Sequence, residues 1–104
     1  MHKNDKSYLK ASWGEVRLDE MQRHLDYDLY KLLKIALELN LQYIETEHME
    51  QVRRQWTKEE ELFLRAFSKQ LSIQEAANLL HRSRYATYQR VRFLGLHEMI
   101  NKRS

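Results

Sequence analysis

Five side chains between residues 84 and 92 carry the densest hydrogen-bonding chemistry of this chain: Arg84, Tyr85, Tyr88, Gln89 and Arg92. Residues three and four apart on a helix are surface neighbours, so a helix over this stretch is expected to present all five outward. Their chemistry suits a nucleic acid. A guanidinium can donate to guanine O6 and N7 together, and a glutamine amide can pair with adenine N6 and N7. Arg82, Arg90, Lys102 and Arg103 stand beside them as candidates for phosphate oxygens. The competing reading is a surface that meets an acidic protein, because Tyr and Arg are also enriched at protein hot spots.

Other chemistries find little support. His2, His24, His48, His81 and His97 include no pair at the i, i+4 spacing of a helical metal site, and there is no cysteine to assist them. Gly14 and Gly95 are the only glycines, so no glycine-rich phosphate loop exists. Glu59, Glu60 and Glu61 make a carboxylate cluster, but at a helix start its capping role suffices to explain it. No nucleophile and base can be paired by spacing. We therefore expect no catalysis, no metal and no cofactor.

The five residues need a scaffold, and residues 55–96 supply one. Thr57-x-x-Glu60 and Ser72-x-x-Glu75 are capping boxes, each followed by apolar residues at helical spacing. The first helix carries Leu62, Leu64, Ala66 and Phe67, with Trp56 outside its start, and should end near Lys69 or Gln70. The second carries Ile73, Ala76, Ala77 and Leu80 and should stop near His81. Ser83 caps a third helix, with Ala86 or Thr87, Val91 and Leu94 inward, and Gly95 provides its left-handed stop. The second and third helices are thus about three residues apart, the separation of a helix-turn-helix.

Trp56-Thr57-x-Glu59-Glu60-Glu61, Ser72-Ile73-x-Glu75-Ala76-Ala77-x-x-Leu80 and Arg82-Ser83-x-x-Ala86-x-x-x-Arg90-x-x-x-Leu94-Gly95-Leu96 together resemble a Myb/SANT-type helix-turn-helix of the compact bacterial or phage kind. The chain departs from the pattern in carrying Thr87 where a bulkier aliphatic is usual. The resemblance implies that the third helix enters the major groove of duplex DNA. On that reading Arg84, Tyr85, Tyr88, Gln89 and Arg92 face bases or phosphates, and Arg82 and Arg90 face phosphates.

The N-terminal half echoes this unit. Shifting the sequence by 55 residues aligns Leu18–Leu41 with Ile73–Leu96 without a gap: Leu25 meets Leu80, Asp28 meets Ser83, and Leu39-Asn40-Leu41 meets Leu94-Gly95-Leu96. The outward set Arg84, Tyr85, Tyr88, Gln89, Arg92 becomes Leu29, Tyr30, Leu33, Lys34, Leu37. A helix apolar on nearly all sides is normally covered on both faces. Leu29, Tyr30, Leu33 and Leu37 are therefore expected to pack on the other half, on a second copy in a homodimer, or on a protein partner. Asp19, Glu20, Asp26, Asp28 and Glu38 argue against DNA contact by this half. Tyr43 to Val52 reads as a connector that Thr46 could cap, Trp13 as an anchor, and the first ten and last four residues as mobile.

Composition frames these readings. Absent proline and scarce glycine argue for an all-α chain. Residues 1–52 sum to −3 and residues 53–104 to +6, which places the basic excess with the candidate reading helix and points to a polyanion partner. We expect two small parts, an acidic packing or dimerisation segment over 1–52 and a basic helix-turn-helix over 53–104. With no cysteine, no bilayer-length apolar run and no signal segment, the expectation is a cytoplasmic protein, nucleoid-associated if bacterial. The function expected is a sequence-specific duplex DNA-binding regulator acting by occupancy. An interaction adaptor and an accessory DNA-binding subunit of a phage or mobile-element machine are the alternatives.

Overall fold

The computed structural model of the chain describes residues 3–45 and 55–101, with helices, turns and loops and no strand among them. Its elements are α1 (Lys3–Ser12), α2 (Leu18–Leu25), α3 (Leu29–Glu38), a 3₁₀ turn (Leu41–Tyr43), α4 (Lys58–Ala66), α5 (Ile73–Leu80), α6 (Arg84–Phe93) and α7 (His97–Ile100). The protein is a small all-α fold. The proposed cap at Thr46 and the tail cations Lys102 and Arg103 lie outside the described residues.

Side-chain caps start four of the helices. Thr57 and Ser72 accept from the amides of Glu60 and Glu75 at 3.2 Å each, and the two carboxylates accept in return from the amides of Thr57 and Ser72 at 3.0 and 2.9 Å. Ser83 accepts from Ala86 N at 3.0 Å, and Asp28 accepts from Lys31 N at 2.8 Å. Each such cap stabilises its helix by about 1 kcal/mol. Asn40 and Gly95 reverse the chain after α3 and α6 with φ of +62° and +74°. One boundary moves: α4 closes at Ala66, earlier than Lys69, because Phe67 ends it and the amides of Gln70 and Leu71 both turn back to Phe67 O at 3.0 Å.

The echo between the halves is realised in the backbone. α2 and α5 begin and end 55 residues apart, as do α3 and α6. The left-handed residues that end α2 and α5, Asp26 (φ +57°) and His81 (φ +55°), correspond at the same offset, and so do the 3.2 Å bonds Tyr27 N to Gln22 O and Arg82 N to Ala77 O. The structure extends the match upstream, since α1 and α4 also start 55 residues apart, at Lys3 and Lys58. From residue 3 onward this corrects the expectation that the first ten residues are mobile. Leu9 is fully buried, as is its counterpart Leu64, and Tyr27 Oη donates to Asp5 at 3.0 Å to tie α1 down. α1 has few apolar residues, so its pattern alone is weak; packing rather than propensity holds it.

The two triplets share one core. A single buried cluster runs from Leu9 through Leu33 and Phe63 to Met99. α3 lies against α4 and α5, and the 3₁₀ turn lies on α5. Tyr30 meets Phe63 edge to face at 6.3 Å, Trp13 meets His81 edge to face at 4.7 Å, and Asn78 Nδ2 donates to Gln42 O at 2.9 Å across the join. The radius of gyration, 12.9 Å, is that of one packed body of about 100 residues.

This arrangement answers the question posed by the apolar third helix of the first triplet. Leu29, Leu33 and Leu37 are 6, 0 and 7% exposed, and Tyr30 is half-buried against the same core. They are covered by the chain's own second half. The interface expected there for a homodimer or a protein partner is therefore corrected: burying these side chains internally, at about 1.5–3 kcal/mol for each large one, leaves little apolar area for another molecule.

Candidate nucleic-acid interface

α6 is placed by its inward face. Val91 and Thr87 are fully buried, and the Thr87 hydroxyl, which would be costly to bury alone, donates to Ser83 O at 2.9 Å. That bond explains how a polar residue occupies an apolar site. A three-residue link, His81 to Ser83, turns α5 into α6. Trp13 packs on His81 and so braces this turn from the first triplet.

The opposite face of α6 is open. Arg84, Tyr85, Gln89 and Arg92 are exposed, Tyr85 at 72%, and α6 carries no acidic residue. Among the described residues neither Arg84 nor Arg92 holds an ion pair, so both guanidiniums are available to an anion. Tyr88 departs from the expected set, because its ring is half-buried against the core and only part of it remains accessible.

Arg82 and Arg90, the two expected phosphate contacts inside the folded region, are both engaged within the protein. Arg82 is the more decided case. Its side chain is 6% exposed, its Nε donates to Glu60 Oε2 at 2.8 Å and its Nη2 to Glu60 Oε1 at 3.1 Å, and Glu60 is wholly buried. A further bond runs from Nη2 to Gln55 O at 3.1 Å, and the guanidinium lies 3.9 Å over the Trp56 ring. Arg82 thus locks the turn before α6 to the start of α4, and the sequence expectation that it faces phosphate does not fit this placement. Arg90 pairs with Glu61 at 3.2 Å and lies 4.7 Å over Phe93, yet remains partly exposed.

Two residues enter the site that the sequence reading left out. Phe93 is 76% exposed at the end of α6, one turn beyond Gln89. Trp56, half-buried, flanks the same side of the helix. With Tyr85, Ala86, Gln89 and Arg90 they line an open groove of about 630 Å³. Phe93 gave a detectable signal: it falls on the stripe Tyr85, Gln89, Phe93 at i, i+4, i+8, one face of a helix.

No protein-family model, curated protein or solved structure matches the chain.

The site is therefore defined by its own geometry. At the positions of α3 that correspond to Arg84, Tyr85, Tyr88, Gln89 and Arg92 stand Leu29, Tyr30, Leu33, Lys34 and Leu37, of which Lys34 alone is exposed. The two triplets share a backbone plan and differ in what this helix does: in the first it is the central packing element, in the second it faces solvent. Among the described residues no three His, Asp or Glu side chains gather as a metal site, and no helix is long and apolar enough to cross a membrane.

Proposed function

We propose that the chain binds duplex DNA through the outward face of α6 and acts by occupying its site. The observation that carries this reading is a rigidly capped helix whose exposed side chains are Arg84, Tyr85, Gln89, Arg92 and Phe93, with no acidic residue along it. Free guanidiniums supply phosphate or guanine contact, the Gln89 amide can read adenine, and an exposed aromatic can meet a thymine methyl. The short turn from α5 into α6 has the character of a helix-turn-helix, and the motif resemblance to Myb/SANT domains supports the same role. The first triplet then serves as the scaffold that fixes α4 and α5, and through them α6.

Arg84 and Arg92 are the residues assigned to direct contact, and Tyr85 and Gln89 to base edges. A regulator is the simplest biological setting, and an accessory subunit of a DNA-handling machine uses the same surface. The exposed rings of Tyr85 and Phe93 also favour a second reading, an adaptor that binds an acidic protein.

Fluorescence anisotropy of a labelled mixed-sequence duplex, titrated at 50 and 200 mM salt as nominal conditions of roughly the usual range, separates these. The expected result is binding that weakens steeply with salt, because each neutralised phosphate releases a counterion. Absence of binding at the lower salt concentration would remove the DNA reading.

A further inference from the structure

We propose that the groove beside α6 is a site for an unpaired nucleobase, so that the protein prefers duplex DNA bordered by a single strand over a blunt duplex. The inference rests on the DNA reading above and adds a substrate class to it.

The groove has the parts such a site needs. Its lining includes three aromatic side chains, Trp56, Tyr85 and Phe93, and the small Ala86. Tyr85 and Phe93 stand eight residues apart on α6, about 12 Å along the axis at the rise of a helix. Both rings are largely exposed, at 72 and 76%. They are the two most exposed large apolar side chains among the described residues, and a base has a flat π-face to cover one. Gln89, between them, offers a donor and an acceptor to a base edge.

Charge decides between a base and an acidic peptide less than geometry does. The Arg90 guanidinium lies 4.7 Å over Phe93 and 5.6 Å from the Trp56 ring, and Arg82 covers the Trp56 ring at 3.9 Å. The cations on the groove side are thus committed: Arg82 to buried Glu60 and Arg90 to Glu61. An acidic peptide in the groove would meet guanidiniums already neutralised by carboxylates. A base meets the exposed Tyr85 ring, the side of Phe93 away from Arg90 and the Gln89 amide, and its attached phosphates extend toward exposed Arg92, which with Gln89 and Phe93 lines the adjoining hollow. Stacking on aromatics together with a cationic track for the backbone is the general design of single-strand contact. The volume, about 630 Å³, falls in the range of small-ligand clefts.

The test compares three labelled DNAs on the full chain: a blunt duplex, the same duplex with a short unpaired tail, and the same tail built of abasic nucleotides. The account predicts that the base-bearing tail binds about tenfold tighter than the abasic tail, within what one aromatic–base stack supplies. Phe93→Ala should erase that ratio, and Phe93→Tyr, which keeps the ring, should preserve it. Because Phe93 is exposed, neither variant threatens the fold. Equal affinity for base-bearing and abasic tails, or a ratio that survives Phe93→Ala, overturns the inference and leaves duplex binding standing. Failure of all three DNAs to bind overturns both, as does a glutamate-rich peptide binding the groove in a Phe93-dependent manner while no DNA competes.

Discussion

Replacing Arg82 with alanine separates a structural cation from a DNA-contacting one. The guanidinium makes two bonds to Glu60, at 2.8 and 3.1 Å, with the Arg side chain 6% exposed and the Glu side chain 0% exposed. Removing one partner of a buried pair costs about 3–5 kcal/mol, because the remaining charge stays desolvated and uncompensated. Glu60 keeps its bonds from the Thr57 amide and hydroxyl, at 3.0 and 3.2 Å, which places the expected loss at the lower end. For a domain near this size, about 3 kcal/mol corresponds to a fall in Tm of roughly 12 °C or more. Thermal melts followed by circular dichroism measure it directly. Glu60→Gln/Arg82→Met, which retains the capping acceptor and fills the volume with an apolar chain, should recover most of the loss, since a buried pair and a hydrophobic replacement are often nearly equal. A Tm shift below about 4 °C, the effect of less than about 1 kcal/mol, combined with a large loss of DNA affinity, would refute the reasoning and return Arg82 to the binding surface.

Other consequences concern the surface, the join between triplets and the alkaline limit. Arg84→Ala and Arg92→Ala should each leave Tm unchanged and weaken duplex binding by about 1–3 kcal/mol where the residue makes a bidentate base contact, as anisotropy titration will show. Leu33→Asp should abolish the cooperative melt, because it places a carboxylate in a fully buried position, while sedimentation of the unaltered protein should show no dimer dependent on this helix. Asn78→Ala should lower stability by about 1–2 kcal/mol in denaturant titration, since it leaves the buried Gln42 carbonyl without the donor it meets at 2.9 Å. Burial, and then the hydrogen bond and charge of Asp5, raise the Tyr27 phenol above its ordinary value of 10.0. The folded state thus favours the protonated phenol, so this contribution is complete below pH 10.0 and is lost as pH rises through the higher folded value. Melts above and below that pH should differ less in Asp5→Ala, which removes both the hydrogen bond and the charge.

Much of the scaffold was legible in the sequence, and the reason is local. Thr57, Ser72, Ser83 and Asp28 announce helix starts because a side-chain oxygen satisfies an amide three residues on, and Asn40 and Gly95 announce stops because few residues tolerate positive φ. The offset between the halves was visible from Leu18 onward because apolar spacing and caps recur together. It was invisible over α1, where a charged sequence with Leu9 as its deepest anchor offers no pattern to match. Non-local pairing explains the remaining differences. Nothing near Arg82 in sequence reveals Glu60, 22 residues earlier, as its partner, so a buried cation reads like a surface one. The all-round apolar character of Leu29 to Leu37 signalled cover on both faces and left open whether the other half, a second copy or a partner supplies it; α4 and α5 of the same chain do. Phe93 was given no role, and it is the rotation of α6, set by buried Thr87 and Val91, that turns it outward.

The most direct measurement is a ¹⁵N-labelled NMR titration of the whole protein with a duplex at low salt. The account predicts that amide shifts concentrate on residues 84–93 and the side chains of Arg84, Gln89 and Arg92, with α2 and the buried α3 nearly unchanged. Shifts centred on the first triplet, or none at saturating DNA, would contradict the claim that α6 is the reading helix.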